Sequence, residues 1–239
     1  MFSKHQPAPC MDSIWQYRTL LLEGTLVTVQ LALFSLLLAV IFGLIGATAK
    51  LSKNHAARKT AGAYTTLVRG VPDLVLMMLL FYGGQQLVND LGFATGWWDY
   101  VEVNQFTAGV FSIGFVFGAY MTETFRGAIL AIPIGQIEAG IACGMHPLRI
   151  FCRITWPLMI RYALPGFTNN WLVLVKATAL VSVIGLHDLV WNASTAGRSI
   201  REPFTFMFAV LVIYLVLTAL SDVALRWVDR KYSAGVRRG

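Results

Sequence analysis

Five long stretches of the sequence carry at most one charged side chain each, and they constrain the fold more than any other feature. They cover residues 24–49, 70–88, 103–122, 162–186 and 203–221. Asp73 and Lys176 are the only charged residues within them. Crossing a hydrocarbon core of about 30 Å takes roughly 20 apolar residues in a helix, the one non-barrel structure that satisfies its own backbone in lipid. The sequence therefore predicts an all-α integral membrane protein with five transmembrane helices.

The composition agrees with a membrane protein and leaves little material for anything else. Hydrophobic residues make up 56% of the 239 residues and charged residues 13%, whereas soluble domains have about 45–50% and about 25%, respectively. We therefore expect a single transmembrane domain over residues 1–239, and any soluble machinery must come from partner proteins. The expected spans are approximately 24–49, 64–88, 103–128, 158–186 and 203–227, with a loop of approximately 129–157 after the third.

The basic residues are distributed unequally between the two sides of the expected spans. Thirteen lie on one side, namely Lys50, Lys53, Arg58, Lys59, Arg126, Arg149, Arg153, Arg161, Arg226, Arg230, Lys231, Arg237 and Arg238. Four lie on the other side, namely Lys4, Arg18, Arg198 and Arg201. Because lysine and arginine accumulate in cytoplasmic loops, the N-terminus is expected outside and the C-terminus in the cytoplasm. The net charge of +7 is thus largely a topology signal, and nucleic-acid binding is not expected.

Residues that could catalyse a reaction or hold a metal are not grouped in the sequence. The three cysteines lack Cys-x-x-Cys spacing, and the four histidines all fall outside the expected spans. No lysine follows a glycine, so the Walker A motif that cradles nucleotide phosphates is missing. We therefore expect no catalytic residue, no metal site and no cofactor in this chain, and any energy from ATP must be supplied by another subunit.

The loop 129–157 is too long for a turn, and its apolar residues recur at helical spacing. They are Ile137, Ile141 and Met145, followed by Leu148, Ile150, Phe151 and Ile154. This pattern predicts two short amphipathic helices that are interrupted near Gly144 and Pro147. Amphipathic helices beside a membrane either lie on the lipid or dock into a groove of another protein, and the pattern alone leaves both possibilities open.

Six positions of this loop resemble the EAA loop of ABC importer permeases, whose pattern is Glu-Ala-Ala, three residues, Gly, nine residues, Ile, one residue, Leu-Pro. The matching positions are Glu138, Ala139, Gly140, Gly144, Ile154 and Pro157. Gly140 replaces the third alanine and is expected to loosen the helix by up to about 1 kcal/mol, while Trp156 replaces the leucine. The resemblance implies that this segment is a coupling helix seated in a cleft of an ATPase subunit.

Four further segments look like polar amino-acid permeases of the same superfamily. They are TTLVRGVPDLVLMMLLFYG from Thr65, GAYMTETFRGAI from Gly118, RYALPGFTNNW from Arg161 and LVKATALVSVIGL from Leu174. The resemblance implies a type I ABC importer permease with a MetI-like fold in a bacterial inner (cytoplasmic) membrane. It implies import of amino acids, with the basic ones (histidine, lysine, arginine and ornithine) as the expected substrates. The implied partners are an ATPase dimer that uses ATP and Mg²⁺, a second homologous or identical permease subunit, and a periplasmic amino-acid-binding protein.

Three ionisable residues within the expected spans, Asp73, Glu123 and Lys176, require an explanation, because a charge at the bilayer centre costs about 2.5–3.5 kcal/mol. Asp73 and Glu123 either face the translocation pathway and compensate a cationic amino acid, or form local ion pairs with Arg69 and Arg126 at helical spacing. Glu123 is expected roughly 16 Å above the coupling loop, near mid-membrane, at a rise of 1.5 Å per residue. Lys176 either lines the pathway or extends toward the outer surface.

Uncharged residues within the spans allow similar alternatives. Asn169 and Asn170 are candidates for the pathway or for contacts between helices. Gly114 and Gly118 form a small-xxx-small pair, which is typical of close helix packing.

An alternative function is a stand-alone channel or a secondary carrier for amino acids. Five spans without an evident inverted repeat weigh against it. A transporter of that kind would work without an ATPase, which distinguishes it from an ABC permease.

Overall fold

The computed structural model describes residues 10–233. In chain order the helices are α1 (Cys10–Gln16), α2 (Arg18–Leu51), α3 (His55–Gly70), α4 (Asp73–Thr95), α5 (Gln105–Leu130), α6 (Ile134–Ala142), α7 (Pro147–Ile184), α8 (Leu189–Ser199) and α9 (Pro203–Ser233). Lys4, Arg237 and Arg238, which were counted for the orientation, lie outside the described residues.

The five predicted membrane spans are confirmed as helices. Each of α2, α4, α7 and α9 is long and apolar enough to cross a bilayer by itself. The remaining span, third in chain order, is α5. It meets the same criterion when it is counted together with α6, and the two helices are bent by 59° relative to each other. Within the described residues the chain is therefore an all-helical membrane bundle. Between α5 and the fourth span, α6 and the start of α7 form a helical hairpin.

The second span begins later than the sequence suggested. The expected range was 64–88, but α3 ends at Gly70 and α4 starts at Asp73 and continues to Thr95. Val71 and Pro72 between them are extended, because proline disfavours the helical conformation in the residue before it. The second half of α3 packs against α5 and does not continue into the second span. There the Tyr64 hydroxyl donates a 2.6 Å hydrogen bond to the Phe115 carbonyl oxygen.

The predicted pair of short helices in the loop 129–157 is correct for the first helix and wrong for the second. The first is α6, and it ends before Gly144, which has a left-handed φ of 68°. The second is not separate: from Pro147 the chain runs without a break into the fourth span, through a π-helical turn over Phe151–Thr155. Because every backbone group stays hydrogen-bonded through that turn, no break is needed between loop and membrane.

Small residues let α2 and α5 pack with their backbones close together. A Cβ added at Gly43 would lie 2.5 Å from Met121 Cβ, and one at Gly46 would lie 2.2 Å from Thr122 Oγ1. The predicted role of Gly114 and Gly118 in helix packing is confirmed, since added Cβ atoms there would collide with side chains of α2. Lipid provides no hydrophobic drive for helix association, so such close van der Waals packing is a main source of stability.

The short helix α8, which the sequence analysis did not anticipate, is held against the first half of α2. Asp188 is fully buried and caps α8 by accepting a 2.8 Å hydrogen bond from the Trp191 amide. Thr28 Oγ1 accepts from the Leu189 amide at 3.2 Å, and Asn192 donates to the Leu20 carbonyl oxygen at 3.0 Å. Burial raises the pKa of Asp188, in the connection between the last two spans, to about 6.

We predict that Gly46→Ala destabilises the protein by about 1–3 kcal/mol, because the new methyl group collides with the branched side chain of Thr122. Thermal unfolding of the purified protein in detergent measures this effect. Gly62→Ala on α3 is the matched control, because no atom lies within 4 Å of its added Cβ. The control should be neutral or slightly stabilising, since alanine favours a helix over glycine. Equal effects of the two substitutions would contradict the packing argument.

Candidate functional site

Glu123 forms an ion-pair cluster that ties three helices together. Its carboxylate contacts Lys50 at the end of α2 and accepts a 3.0 Å hydrogen bond from Arg126 Nε one turn later on α5. Lys50 also donates a 2.6 Å hydrogen bond to Thr65 Oγ1 on α3. The local pair with Arg126 was one of the two alternatives for Glu123, and it is confirmed. The second partner, Lys50, was not foreseen, because 73 residues separate it from Glu123.

The Glu123 cluster lies in the half of α5 that is nearer to the loop 129–157. α5 ends at Leu130, seven residues after Glu123, which corresponds to about 10 Å along the helix axis. Lys50 is the second-last residue of α2. The side chains of Lys50 and Glu123 are only 16% and 21% exposed. The expected mid-membrane position of Glu123 stays a prediction, and its charge is already compensated by two basic side chains.

Asp73 differs from Glu123 in having no ionic partner among the described residues. The Tyr120 hydroxyl donates a hydrogen bond to its Oδ1 atom at 3.5 Å. Arg69, the partner proposed from helical spacing, does not pair with it and instead places its guanidinium group 5.5 Å from the centre of the Tyr120 ring. The spacing argument fails because Val71 and Pro72 interrupt the helix between the two residues.

Asn170 connects the fourth span to α5. Its side-chain amide donates a 2.9 Å hydrogen bond to Thr124 Oγ1. Gly166, one turn earlier on α7, allows this approach, since an added Cβ would lie 2.8 Å from Thr124 Cγ2. Thr124 in turn donates to the Tyr120 carbonyl oxygen at 3.2 Å. Asn170 therefore makes the helix contact that was one of its two possible roles.

These contacts join residues of three spans into one continuous surface, which we call the polar face. It consists of Asp73, Tyr120, Thr124, Asn169 and Asn170. All of them are at least partly exposed in the single chain. Polar groups facing hydrocarbon are costly, so this face is expected to meet water, a ligand or another protein chain in the assembled molecule. Tyr120 was not singled out by the sequence analysis, and no pattern around it distinguishes it from a packing residue.

Lys176 lies apart from the contacts of the polar face but on the same side of α7 as Asn169. Tyr162, Pro165, Asn169 and Val173 are exposed, and so is Lys176. Their spacing of three or four residues places them along one stripe of the helix. Lys176 is seven residues beyond Asn169, or about 10 Å along the axis. No ion pair of Lys176 occurs within residues 10–233.

An open polar cavity lies beside the polar face, toward the loop end of the bundle. It has a volume of about 460 Å³ and is lined by Lys50, Thr65, Thr66, Arg69, Gly70, Tyr120 and Glu123. Two of these side chains, Lys50 and Arg69, are basic and one, Glu123, is acidic. The cavity is therefore positively charged overall, whereas Asp73 gives the neighbouring polar face a negative charge.

The hairpin formed by α6 and the start of α7 brings the motif positions of the loop together. Gly140 is buried, and a Cβ added to it would lie 2.9 Å from Ile154 Cδ1 and 3.3 Å from Ile150 Cγ1. The helix continues through Gly140 to Ala142, so the expected loosening does not break it. The turn is closed by hydrogen bonds from the Gly144 amide to Ile141 and from the Met145 amide to Gly140. Gly140 thus lets α6 rest directly on α7.

The outer surface of this hairpin is apolar although no part of residues 10–233 covers it. Ile134, Ile141 and Leu148 are 71%, 61% and 65% exposed, respectively. Glu138 and Ala139, the first two motif positions, are also exposed, as is Pro157. Exposed apolar residues next to a carboxylate are typical of a surface that docks into another protein.

No group of three metal-ligating side chains is arranged to hold a metal ion in the part of the chain that the structure describes. Cys143 and Cys152 are free thiols on the exposed surface of the hairpin and the start of α7.

The chain matches the family described as binding-protein-dependent transport system inner membrane component over residues 21–234. Among curated proteins, it is 49% identical over 225 residues to the histidine/lysine/arginine/ornithine transport system permease protein HisQ of Escherichia coli strain K12. That alignment covers 94% of this chain and 98% of the relative.

Two solved structures have the same fold. An amino acid ABC transporter determined with histidines superposes with a TM-score of 0.80 at 27% identity, covering 95% of this chain and 100% of the other. The MetNI methionine ABC transporter superposes with a TM-score of 0.73 at 20% identity, covering 91% and 98%, respectively. The predicted fold, that of a MetI-like permease of a type I importer, is therefore confirmed.

We predict that Lys50 and Glu123 stabilise the folded protein as a coupled pair. A double-mutant cycle with Lys50→Met and Glu123→Gln should give a coupling free energy of about 1–3 kcal/mol, measured by unfolding in detergent. The control cycle uses the exposed pair of Asp222 and Arg226 on α9, which should give less than about 1 kcal/mol because water screens it. A coupling free energy near zero for Lys50 and Glu123 would contradict their role in holding α2 to α5.

Proposed function

The chain belongs to the family of inner membrane components of binding-protein-dependent transport systems, and on this premise we propose that it imports basic amino acids. Its relative from Escherichia coli is named for histidine, lysine, arginine and ornithine. In this chain, the observation that carries the proposal is Asp73, a carboxylate at the start of a span without an ionic partner among the described residues. A cationic amino acid supplies the positive counter-charge that the Asp73 carboxylate lacks among the described residues.

The polar face forms the wall of the translocation pathway in this proposal. Asp73 attracts the amine or side-chain cation of the substrate, and Asn169 and Asn170 offer amide groups that can replace part of its hydration shell. Lys176, on the same stripe of α7, provides a positive charge for the substrate's carboxylate. Glu123 contributes differently: its charge is compensated by Lys50 and Arg126, so it positions helices next to the pathway. A modest number of such contacts keeps binding weak enough for release.

A second permease subunit, homologous or identical to this one, completes the pathway. The supporting observation is that the polar face is uncovered in the single chain although it lies on membrane-spanning helices. Pairing two such faces encloses polar groups between the subunits, while the apolar backs of the helices remain in contact with lipid.

The hairpin of α6 and the start of α7 couples the permease to a separate ATPase dimer, which uses ATP and Mg²⁺. Glu138 and Ala139 are exposed for docking, together with the apolar side chains of Ile134 and Ile141. Gly140 rests on α7, which is continuous with the fourth span, so that movement of the hairpin is passed to the pathway as a rigid-body shift. This chain itself is not expected to hydrolyse ATP or to catalyse any other reaction.

The excess of basic residues near the hairpin and the last span supports an orientation with this end in the cytoplasm and the N-terminus in the periplasm. A periplasmic amino-acid-binding protein then delivers substrate to the opposite end, near α8 and the connection between α4 and α5. Selection among the basic amino acids rests with that protein as well as with the polar face.

We predict that Asp73→Asn reduces uptake of arginine or lysine about tenfold but reduces uptake of a neutral amino acid much less, because only a cationic substrate uses the carboxylate. Uptake of radiolabelled amino acids into proteoliposomes containing the assembled transporter measures both. Glu123→Gln is the matched control. It should reduce the two uptake rates in similar proportion, since its charge serves the ion-pair cluster. Equal losses for both substrate classes with Asp73→Asn would contradict the proposed contact.

We predict that Glu138→Lys combined with Gly144→Pro abolishes co-purification of the ATPase while membrane insertion is unchanged. The first substitution reverses an exposed charge on α6, and the second forces a φ near −65° where the turn requires +68°. Co-purification from detergent-solubilised membranes measures docking. Glu102→Lys, a charge reversal in the exposed connection between α4 and α5, should leave docking intact. Normal retention of the ATPase by the double variant would show that the hairpin is not the coupling element.

A further inference from the structure

A second cavity of about 220 Å³ opens between α2 and α7, over α5, and it is lined only by apolar side chains. Phe125 of α5 forms its floor, and Val40 and Leu44 of α2 form one wall. Trp156 and Ile160 belong to the other wall, on α7. We call this cavity the apolar groove. Val40, Leu44 and Ile160 are partly exposed and Trp156 is exposed, so the groove is open at the side of the bundle, whereas its deeper lining residues Met159, Ala163 and Leu164 are buried.

The apolar groove faces away from the exposed stripe of α7 that includes Asn169. On α7 its lining residues include Trp156, Ile160 and Phe167, which share one side of the helix. At about 100° per residue, the exposed stripe that contains Asn169 lies on nearly the opposite side. If the polar face meets the second permease subunit, the groove remains in contact with the lipid bilayer.

The end of the groove nearest to the hairpin carries basic and amphipathic side chains. Trp156, at this end, is 38% exposed and packs against Phe151 with ring centroids 6.1 Å apart. Arg153 and Arg149 precede it by three and seven residues, and both are exposed. Neither arginine forms an ion pair within residues 10–233. Tryptophan and arginine in this arrangement are typical of the level of lipid headgroups at a membrane surface.

We propose that the apolar groove binds an anionic phospholipid of the leaflet on the coupling-loop side. One acyl chain lies along Val40, Leu44 and Ile160, and the headgroup phosphate is bound by Arg153, with Arg149 next to it. The charge of these arginines complements an anionic headgroup, and a basic site between spans on this side of the membrane fits such lipids. The assignment depends on the membrane location of the chain and not on its proposed substrate.

Trp156 allows the lipid to be detected directly. The assembled transporter is placed in phosphatidylcholine nanodiscs. These contain increasing fractions of a lipid with brominated acyl chains, either brominated phosphatidylglycerol or brominated phosphatidylcholine. Bromine quenches tryptophan fluorescence on contact. The chain has seven tryptophans, so the signal of Trp156 is taken as the difference between the parent protein and Trp156→Phe. Half-quenching of this signal should need about fivefold less brominated phosphatidylglycerol than phosphatidylcholine, the equivalent of roughly 1 kcal/mol for one basic side chain.

Substitutions of Arg153, which is proposed to bind the headgroup phosphate, distinguish a specific lipid site from non-selective contact with the bilayer. Arg153→Gln should remove most of the fivefold preference, while Arg153→Lys should keep it because the charge is retained. Arg230→Gln, at the same end of the bundle but on α9, should leave the preference unchanged. Ala163→Leu narrows the groove and should bring the quenching by phosphatidylglycerol to the phosphatidylcholine level.

Two results would overturn the proposal. One is equal quenching by the two brominated lipids in the parent protein, which would mean that only non-selective lipid surrounds Trp156. The other is an unchanged preference in Arg153→Gln together with loss of the co-purifying ATPase, which would assign this arginine to the protein partner.

Discussion

The close contact between α2 and α5 is the interaction on which the other features depend. In a bilayer the apolar side chains of a helix gain little by leaving lipid for protein, so association rests on shape and close approach. Gly43 and Gly46 on α2 face Met121 and Thr122 on α5 at distances that leave no space for a Cβ. This contact brings Lys50 to Glu123 one turn further along. The other face of α5 packs against α7, while α9 packs on α7 and α8.

Two carboxylates that look alike in the sequence acquire different roles from this arrangement. Glu123 lies where α2 and α5 are already close, and two basic side chains compensate its charge. Asp73 starts a span after a proline break, and it has only a tyrosine hydroxyl as a neighbouring donor. A charge inside a membrane must be compensated. For Glu123 the chain supplies the compensation itself, and for Asp73 a cationic substrate can supply it.

The hairpin of α6 and the start of α7 links the spans that carry these charges to the exposed surface at the loop end of the bundle. Gly140 stands where related loops have alanine, and the structure accounts for this departure, because Ile154 occupies the space that a methyl group would need. Since α7 continues from the hairpin through the fourth span, it carries three surfaces on one helix. These are the exposed apolar surface near Leu148, the exposed stripe that includes Asn169, and the apolar groove on the reverse side. A displacement of the hairpin therefore reaches all three surfaces.

The sequence by itself determined the number of spans, the loop helix α6 and the resemblance to importer permeases, because hydrophobic length and motif spacing are local properties of a chain. It also indicated the pair of Glu123 and Arg126, which are three residues apart on one helix. Only the tertiary structure decided that Lys50 compensates Glu123, that Tyr120 lies between Arg69 and Asp73, and that α3 is separate from the second span. These outcomes depend on which helices touch and on a break at Pro72, and contacts between residues far apart in the chain leave no periodic signal.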